Sequence, residues 1–362
     1  MTSTHPSAER GTSVGVRRLT DDVLDPAVAL SVLDLAPVGE GSSPREALNR
    51  SLELARHVER LGYRRYWVAE HHNMPGIASS SPPVLLAAVG QHTSTIRLGS
   101  GGVMLPNHSP LVVAEQFGML EALHPGRIDL GLGRAPGTDQ VTALALRRSR
   151  ERLGGDDFQS ELAELLGYFN GTIPAEHPFS RITATPGLGY QPAIWILGSS
   201  DYGARLAGLM GLPYSYAHHF ASGGTDDAVR IYRESFEPSE VLDEPYLMLG
   251  VAVICAETDE RAQWLAGPGR LAMVRLRTGR PGRYPTPEEA AAYTFTPQEK
   301  ELARGMGRSS IVGSVATVRA GLSELAARTG ANELMITTMV HGHEDRLESY
   351  RLVAEEVAQL GG

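Results

Sequence analysis

Eight times along this chain a short, nearly continuous apolar run gives way to a segment whose apolar residues recur at helical spacing. The runs are Ala27–Leu35, Arg65–Glu70, Ile96–Leu105, Arg127–Arg134, Ala193–Ser199, Leu212–Ala217, Tyr246–Cys255 and Glu333–Val340. Such alternation predicts a parallel sheet, because a parallel strand pair needs a crossover connection and a helix supplies one. Runs apolar at nearly every position predict strands covered on both faces. The first helix start is explicit. Ser43-Pro44-Arg45-Glu46 places Ser at the N-cap, Pro at N1 and Glu at N3, and Leu48, Leu52, Ala55, Val58 and Leu61 follow before Gly62.

Eight such units predict a closed (β/α)8 barrel, a TIM barrel. The alternative is an open doubly wound sheet. That fold would carry a glycine-rich phosphate fingerprint after its first strand, and Gly39-Glu40-Gly41 lacks the third glycine. Two stretches exceed a simple connection: 135–190 after the fourth strand, and 267–310, rich in Gly, Pro and Arg, after the seventh. Both read as insertions. Residues 1–26 are polar and aperiodic, which predicts an arm before a single domain at 27–362.

Charge and cysteine content exclude several classes of function. The formal net charge is −9, and the basic residues, all arginine except Lys300, are scattered among acids. No basic patch for nucleic acid emerges. No run of eighteen apolar residues exists, so no membrane helix is expected, and the first 25 residues hold no apolar signal segment. The single cysteine, Cys255, can form neither an internal disulfide nor a cysteine-based zinc site. A cytoplasmic protein is expected. Cys255 and Asp34-Leu35-Ala36-Pro37 read as packing positions.

In a barrel of this kind the chemistry sits where the strands end. The second strand ends in Glu70-His71-His72-Asn73, and alternation lets one of the two histidines look into the barrel mouth. The third ends in Gly99-Ser100-Gly101-Gly102, where glycines allow close approach by another molecule. The fourth ends in Gly131-Leu132-Gly133-Arg134, small residues around one arginine suited to an anion. The fifth ends in Gly198-Ser199-Ser200-Asp201 at a helix start, which reads either as N-capping or as an anion site. Arg134 and Ser199-Ser200 together could clasp one phosphate. The sixth leads into His218-His219-Phe220 and the eighth into His341-Gly342-His343. An H-x-H pair invites a metal-hydrolase reading. Barrel hydrolases of the amidohydrolase kind carry that pair after strand one, where this chain has Asp34 and no histidine, so no catalytic metal is expected.

Taken together, Glu70-His71-His72, the block from Ile96 to Arg134, the block from Trp195 to Pro213, and Glu333–Ile336 after Gly313-Ser314 resemble the luciferase-like monooxygenases. The resemblance runs from about residue 27 to about 360. It implies a barrel holding reduced flavin mononucleotide (FMN) at its C-terminal mouth. The matching positions are His71 for the active-site histidine, Arg134 for the phosphate arginine, and Gly198, Ser199, Ser200 and Gly203 for the phosphate loop. The family's cis peptide falls at Gly101–Gly102, and His218 falls beside the flavin ring. The chain departs from luciferase at Gly133, where luciferase has its reactive cysteine, and at Ser199, where it has glutamate. It is more similar to the oxygenases that tailor bacterial natural products such as aromatic polyketides.

The resemblance implies a separate NAD(P)H:flavin reductase as the source of reduced FMN, a small-molecule substrate and molecular oxygen. It also implies a homodimer packed through helices beside the first three strands, with the helix Pro82–Thr93 supplying part of the face. Two other readings remain open at this level: a deazaflavin-dependent oxidoreductase, and a flavin-binding protein without catalysis.

Overall fold

The computed structural model describes residues 28–135, 137–147, 157–220, 223–303 and 309–357. The expected N-terminal arm lies outside the described residues. The described residues form nine strands: β1 (Ala29–Asp34), β2 (Arg65–Val68), β3 (Arg97–Met104), β4 (Ile128–Gly133), β5 (Ala193–Gly198), β6 (Tyr214–Tyr216), β7 (Leu247–Ala256), β8 (Ser310–Ser314) and β9 (Glu333–Thr337). β1 to β7 pair in series, β7 pairs with β9, and β9 closes onto β1, every pair parallel. This is the closed eight-stranded barrel, with β9 as its eighth stave.

β8 is an addition that sequence reasoning missed; it begins at the last residue of the second insertion. β7 is ten residues long. Its lower half pairs with β6, from Leu247 to Leu249, and its upper half with β8, from Ala252 to Ala256. Leu249 stands in register with both β6 and β9, and Ala252 with both β8 and β9. β8 therefore continues the side of β7 that β6 vacates. The helix after β7 also differs from expectation. It runs from Asp259 to Arg277 through a buried Pro268, into the stretch read as insertion. The insertion after β4 contains helices Gln140–Arg147 and Phe158–Asn170.

Local sequence explains the helix starts. The Ser43 side chain accepts from the Glu46 amide at 3.2 Å, and the Glu46 carboxylate accepts from the Ser43 amide at 2.7 Å, a reciprocal capping box. On the helix Pro110–Leu123, Val113, Phe117 and Leu120 recur at helical spacing and pack inward. Leu123 is 58 % exposed and lines up with Val112 and Met119.

Inward and outward rows alternate along each strand. Outward residues such as Tyr66, Val68, Leu98 and Leu130 join the main core against the helices. Inward residues Leu33, Trp67, Trp195, Met248 and Met335 fill the barrel. Below them lies a buried polar layer. Arg65 bonds Asp129 and Glu333, each at 3.0 Å, and Arg97 bonds Asp129 at 3.0 Å. Tyr246 donates to Glu333 at 2.8 Å, and the Trp67 indole to Asp129 at 3.0 Å. Burial alone would raise the Asp129 carboxyl, but Arg97 and Arg65 hold it below the usual carboxylate range. The barrel is plugged at this end.

Candidate active site at the barrel mouth

Toward the other end stand three glycines whose neighbours crowd the place of a side chain. A Cβ on Gly101 would stand 2.8 Å from Leu33, one on Gly102 would stand 2.8 Å from the Gly131 carbonyl, and one on Gly131 would stand 2.2 Å from the Ser100 carbonyl. At Gly102 and Gly131 a side chain would meet backbone, and at Gly101 it would need Leu33 to shift. The Gly101–Gly102 peptide is cis, as the resemblance implies, and the β3–β4 register shifts there.

Arg134 follows β4 directly and is exposed. Its guanidinium lies 4.2 Å from the ring centroid of Tyr202, a cation–π stack. Tyr202 sits in the first turn of the helix Asp201–Leu209, whose N-cap is Ser200. The capping alternative can now be tested. Ser200 is extended (φ −143°, ψ 165°) and makes no side-chain cap bond. The stack thus brings Arg134 beside a helix N-terminus whose capping hydroxyl is uncommitted to its own helix. Gly198 and Gly203 set the loop under this clasp, a Cβ on Gly203 lying 3.6 Å from the Gly198 Cα.

His71 is half-buried beyond the end of β2. Its Nδ1 lies 3.3 Å from the Gly137 carbonyl and must be the donor there, which leaves Nε2 with a lone pair when the ring is neutral. Burial pushes the imidazole below its ordinary value, with the Gly137 bond working the other way. His72 turns to Glu70 at 2.9 Å. The two rings part company, His71 toward the loop after β4 and His72 toward Glu70.

His218 bonds Thr225 Oγ1 at 2.8 Å, and burial pulls its pKa down, with Arg328 adding and Asp226 opposing. His219, which sequence reasoning passed over, has the more interior place. Its Nδ1 lies 3.0 Å from the Gly250 carbonyl, and its ring occupies the space a Cβ on Gly250 would take, at 2.8 Å. Burial lowers it to about 4, with His218 and His71 adding to the effect. Glu70 and His108 bond each other at 2.9 Å across the mouth rim. Thr337 continues the inward row of Glu333 and Met335, and its buried hydroxyl has no partner among the described residues.

The remaining candidates separate from the mouth. His341 bonds the Glu40 carbonyl at 3.0 Å and His343 bonds Glu53 at 3.1 Å, so the H-x-H pair diverges. Asp34 is a buried ion pair with Arg346 at 2.7 Å. Cys255 is buried, and burial pushes its thiol up to about 11.

A family model described as luciferase-like monooxygenase matches residues 28–333. A luciferase-like monooxygenase of Escherichia coli is 45 % identical over 93 % of this chain and 99 % of its own. An uncharacterized protein of Bacillus subtilis, YvbT, is 47 % identical over 90 % of this chain and 96 % of its own. The crystal structure of apo-MsnO8 superposes with a TM-score of 0.82 at 41 % identity, covering 91 % of this chain and 98 % of its own. More distant structures share the fold alone. They include the FMN complex of the oxygenating constituent of 3,6-diketocamphane monooxygenase, at 20 % identity, and an F420-dependent secondary alcohol dehydrogenase, at 14 %.

Proposed function

We propose that this chain, which belongs to the luciferase-like monooxygenases, uses reduced FMN and molecular oxygen to oxygenate a small organic substrate. The observation that carries the FMN reading is the clasp: Arg134 stacked on Tyr202 beside the uncapped Ser199-Ser200 helix start. A phosphate is the anion that a planar guanidinium and free helix amides suit together. The glycine-lined mouth and the unpartnered Thr337 hydroxyl suit a flat, polar-edged ring beside that phosphate.

Bound reduced flavin would supply the electrons that activate oxygen. The chain's share is binding, orientation and proton handling. Arg134 and the Ser200 helix start would hold the phosphate, while Gly101, Gly102 and Gly131 let the ring lie against backbone. The neutral Nε2 of His71 would take or return a proton at the mouth. With no dinucleotide fingerprint after β1, reduced flavin would arrive from a separate reductase.

Anaerobic titration tests the clasp. Reduced FMN should bind wild-type protein more tightly than reduced riboflavin, and Arg134→Ala should abolish that difference. Equal affinity for FMN and riboflavin in the wild type would place the phosphate elsewhere. Oxygen uptake with reduced FMN separates this reading from deazaflavin hydride transfer. Val84, Val112, Met119 and Leu123, exposed on the helices outside β2 and β3, support a homodimer. Sedimentation at micromolar concentration should show a species of twice the 38.9 kDa chain mass. No described helix is long and apolar enough to cross a membrane, in keeping with the cytoplasmic placement we favour.

A further inference from the structure

The carboxylate at the end of β2 has a role that flavin binding does not use. Glu70 is only 1 % exposed, yet it accepts three hydrogen bonds. Its Oε1 takes the Nε2–H of His72 and the Nε2–H of His108, each at 2.9 Å. Its Oε2 takes the Met104 amide at 3.2 Å. His72 lies beyond the end of β2, Met104 ends β3, and His108 follows the short turn after it. One buried carboxylate therefore fastens two adjacent strand ends.

The fastening reaches further. Met104 packs under the loop after β4, where a Cβ on Gly133 would stand 3.1 Å from its sulfur and one on Gly137 3.2 Å from its Cγ. The Gly137 carbonyl is the partner of His71. Glu70 thus meets His71 twice, as its chain neighbour and through Met104 and Gly137.

The charged and titratable groups on the strand ends and loops that frame His71 come from four elements. Glu70 and His72 flank it at the β2 end, and His108 comes from the turn after β3. Arg134 and Asp139 come from the loop after β4, with Asp139 held by Asn73 at 3.1 Å and the Thr142 amide at 3.0 Å. His219 comes from the turn after β6. Glu70 is the one buried carboxylate of this set among the described residues. Its charge favours a protonated His71, and His72 opposes it.

We propose that Glu70 is the positioning residue of His71, joining the strand ends that frame the imidazole and supplying the negative charge it senses. The consequence for turnover rests on the reading of His71 as the proton-handling group. The titration itself needs neither flavin nor substrate.

The test is a histidine Cε1–H NMR titration of the full-length, flavin-free protein, with His71 assigned by His71→Gln. Glu70→Gln should move the His71 midpoint down by about one pH unit, within the range an adjacent charge commands. Glu70→Asp, which keeps the charge, should restore it, and His72→Gln should move it up. An unmoved midpoint in Glu70→Gln, or an equal fall in Glu70→Asp, overturns the proposal. Should Glu70→Gln not fold, His72→Gln and Glu70→Asp decide together. A rise in the first with a wild-type midpoint in the second supports the proposal, and any other pair of results overturns it. Loss of the FMN-over-riboflavin preference would sink the flavin reading while leaving this titration intact, so the two failures are distinguishable.

Discussion

Two arginine–aromatic stacks mark the two ends of one barrel. At the closed end, Arg65 lies 4.8 Å from the Trp195 ring, fully buried, with its guanidinium committed to Asp129 and Glu333. At the open end, Arg134 lies 4.2 Å from the Tyr202 ring, exposed. The side chains are of the same kind and the stacks alike, but the environments differ. Where charges saturate one another, the site is structural. Where an arginine, a helix start and an imidazole each keep a bonding edge open, the site can receive a ligand. Bulk makes the same distinction: Trp67 and Trp195 meet edge to face at 5.2 Å below, while above them Gly101, Gly102 and Gly131 bring backbone close to backbone and to Leu33.

The hardest test of this contrast is Arg65→Ala. It leaves Glu333 in the interior without its cation and Asp129 with Arg97 as its remaining one, and should cost about 3–5 kcal/mol of stability, the range for breaking a buried ion pair. Urea denaturation measures it, and a cost near zero would mean the closed end is not held by its charges. His71→Ala should do the reverse. Stability should stay within about 1 kcal/mol, as for a non-core change, while product formation falls about 10²–10⁴-fold, the reach of one general acid–base group. Activity that falls only in step with folded protein would move His71 to the structural side of the comparison. Arg134→Ala should weaken reduced FMN by about 1.5–3 kcal/mol, the scale of hydrogen bonds to a charged group, with the denaturation midpoint unchanged.

The smallest expected effect is a slope. The folded protein keeps His219 neutral down to about 4 against an ordinary value of 6.5. Below pH 6.5 the unfolded chain gains a proton that the folded chain refuses, so stability declines until about pH 4. Burial would raise Glu70, but bonds from His108 and His72 hold it down to about 2, against 4.5 ordinarily. Its contribution is complete above pH 4.5 and is lost as pH falls toward 2. The two slopes share a sign. His219→Gln should flatten the upper one and leave the lower, as denaturation at stepped pH would report.

Much of this was legible in the sequence because its signals are local. The eight apolar runs and the Ser43–Glu46 capping box depend on neighbours within a turn or a strand. β8 was hidden because Ser310–Ser314 is short and finds its partner only on the upper half of an unusually long β7. The bond between Glu70 and His108 spans 38 positions, and no spacing announces it. His218 and His219 are adjacent and chemically identical. Only the turn of Ala217–Phe220 and the missing side chain at Gly250 decide which ring goes inside. The Ser199-Ser200 pair offered capping or anion binding equally, and the absence of a cap bond came only with coordinates.

The stack of Arg134 on Tyr202 bears on the entropy of ligand capture. A free arginine side chain carries about 2 kcal/mol of rotamer freedom, and a phosphate that must first gather it loses that much affinity. Here the ring already restrains the guanidinium beside the helix start. Ordering then belongs to folding rather than to binding. Capture should be limited by encounter, and its gain should appear as a smaller entropic penalty rather than as an added contact.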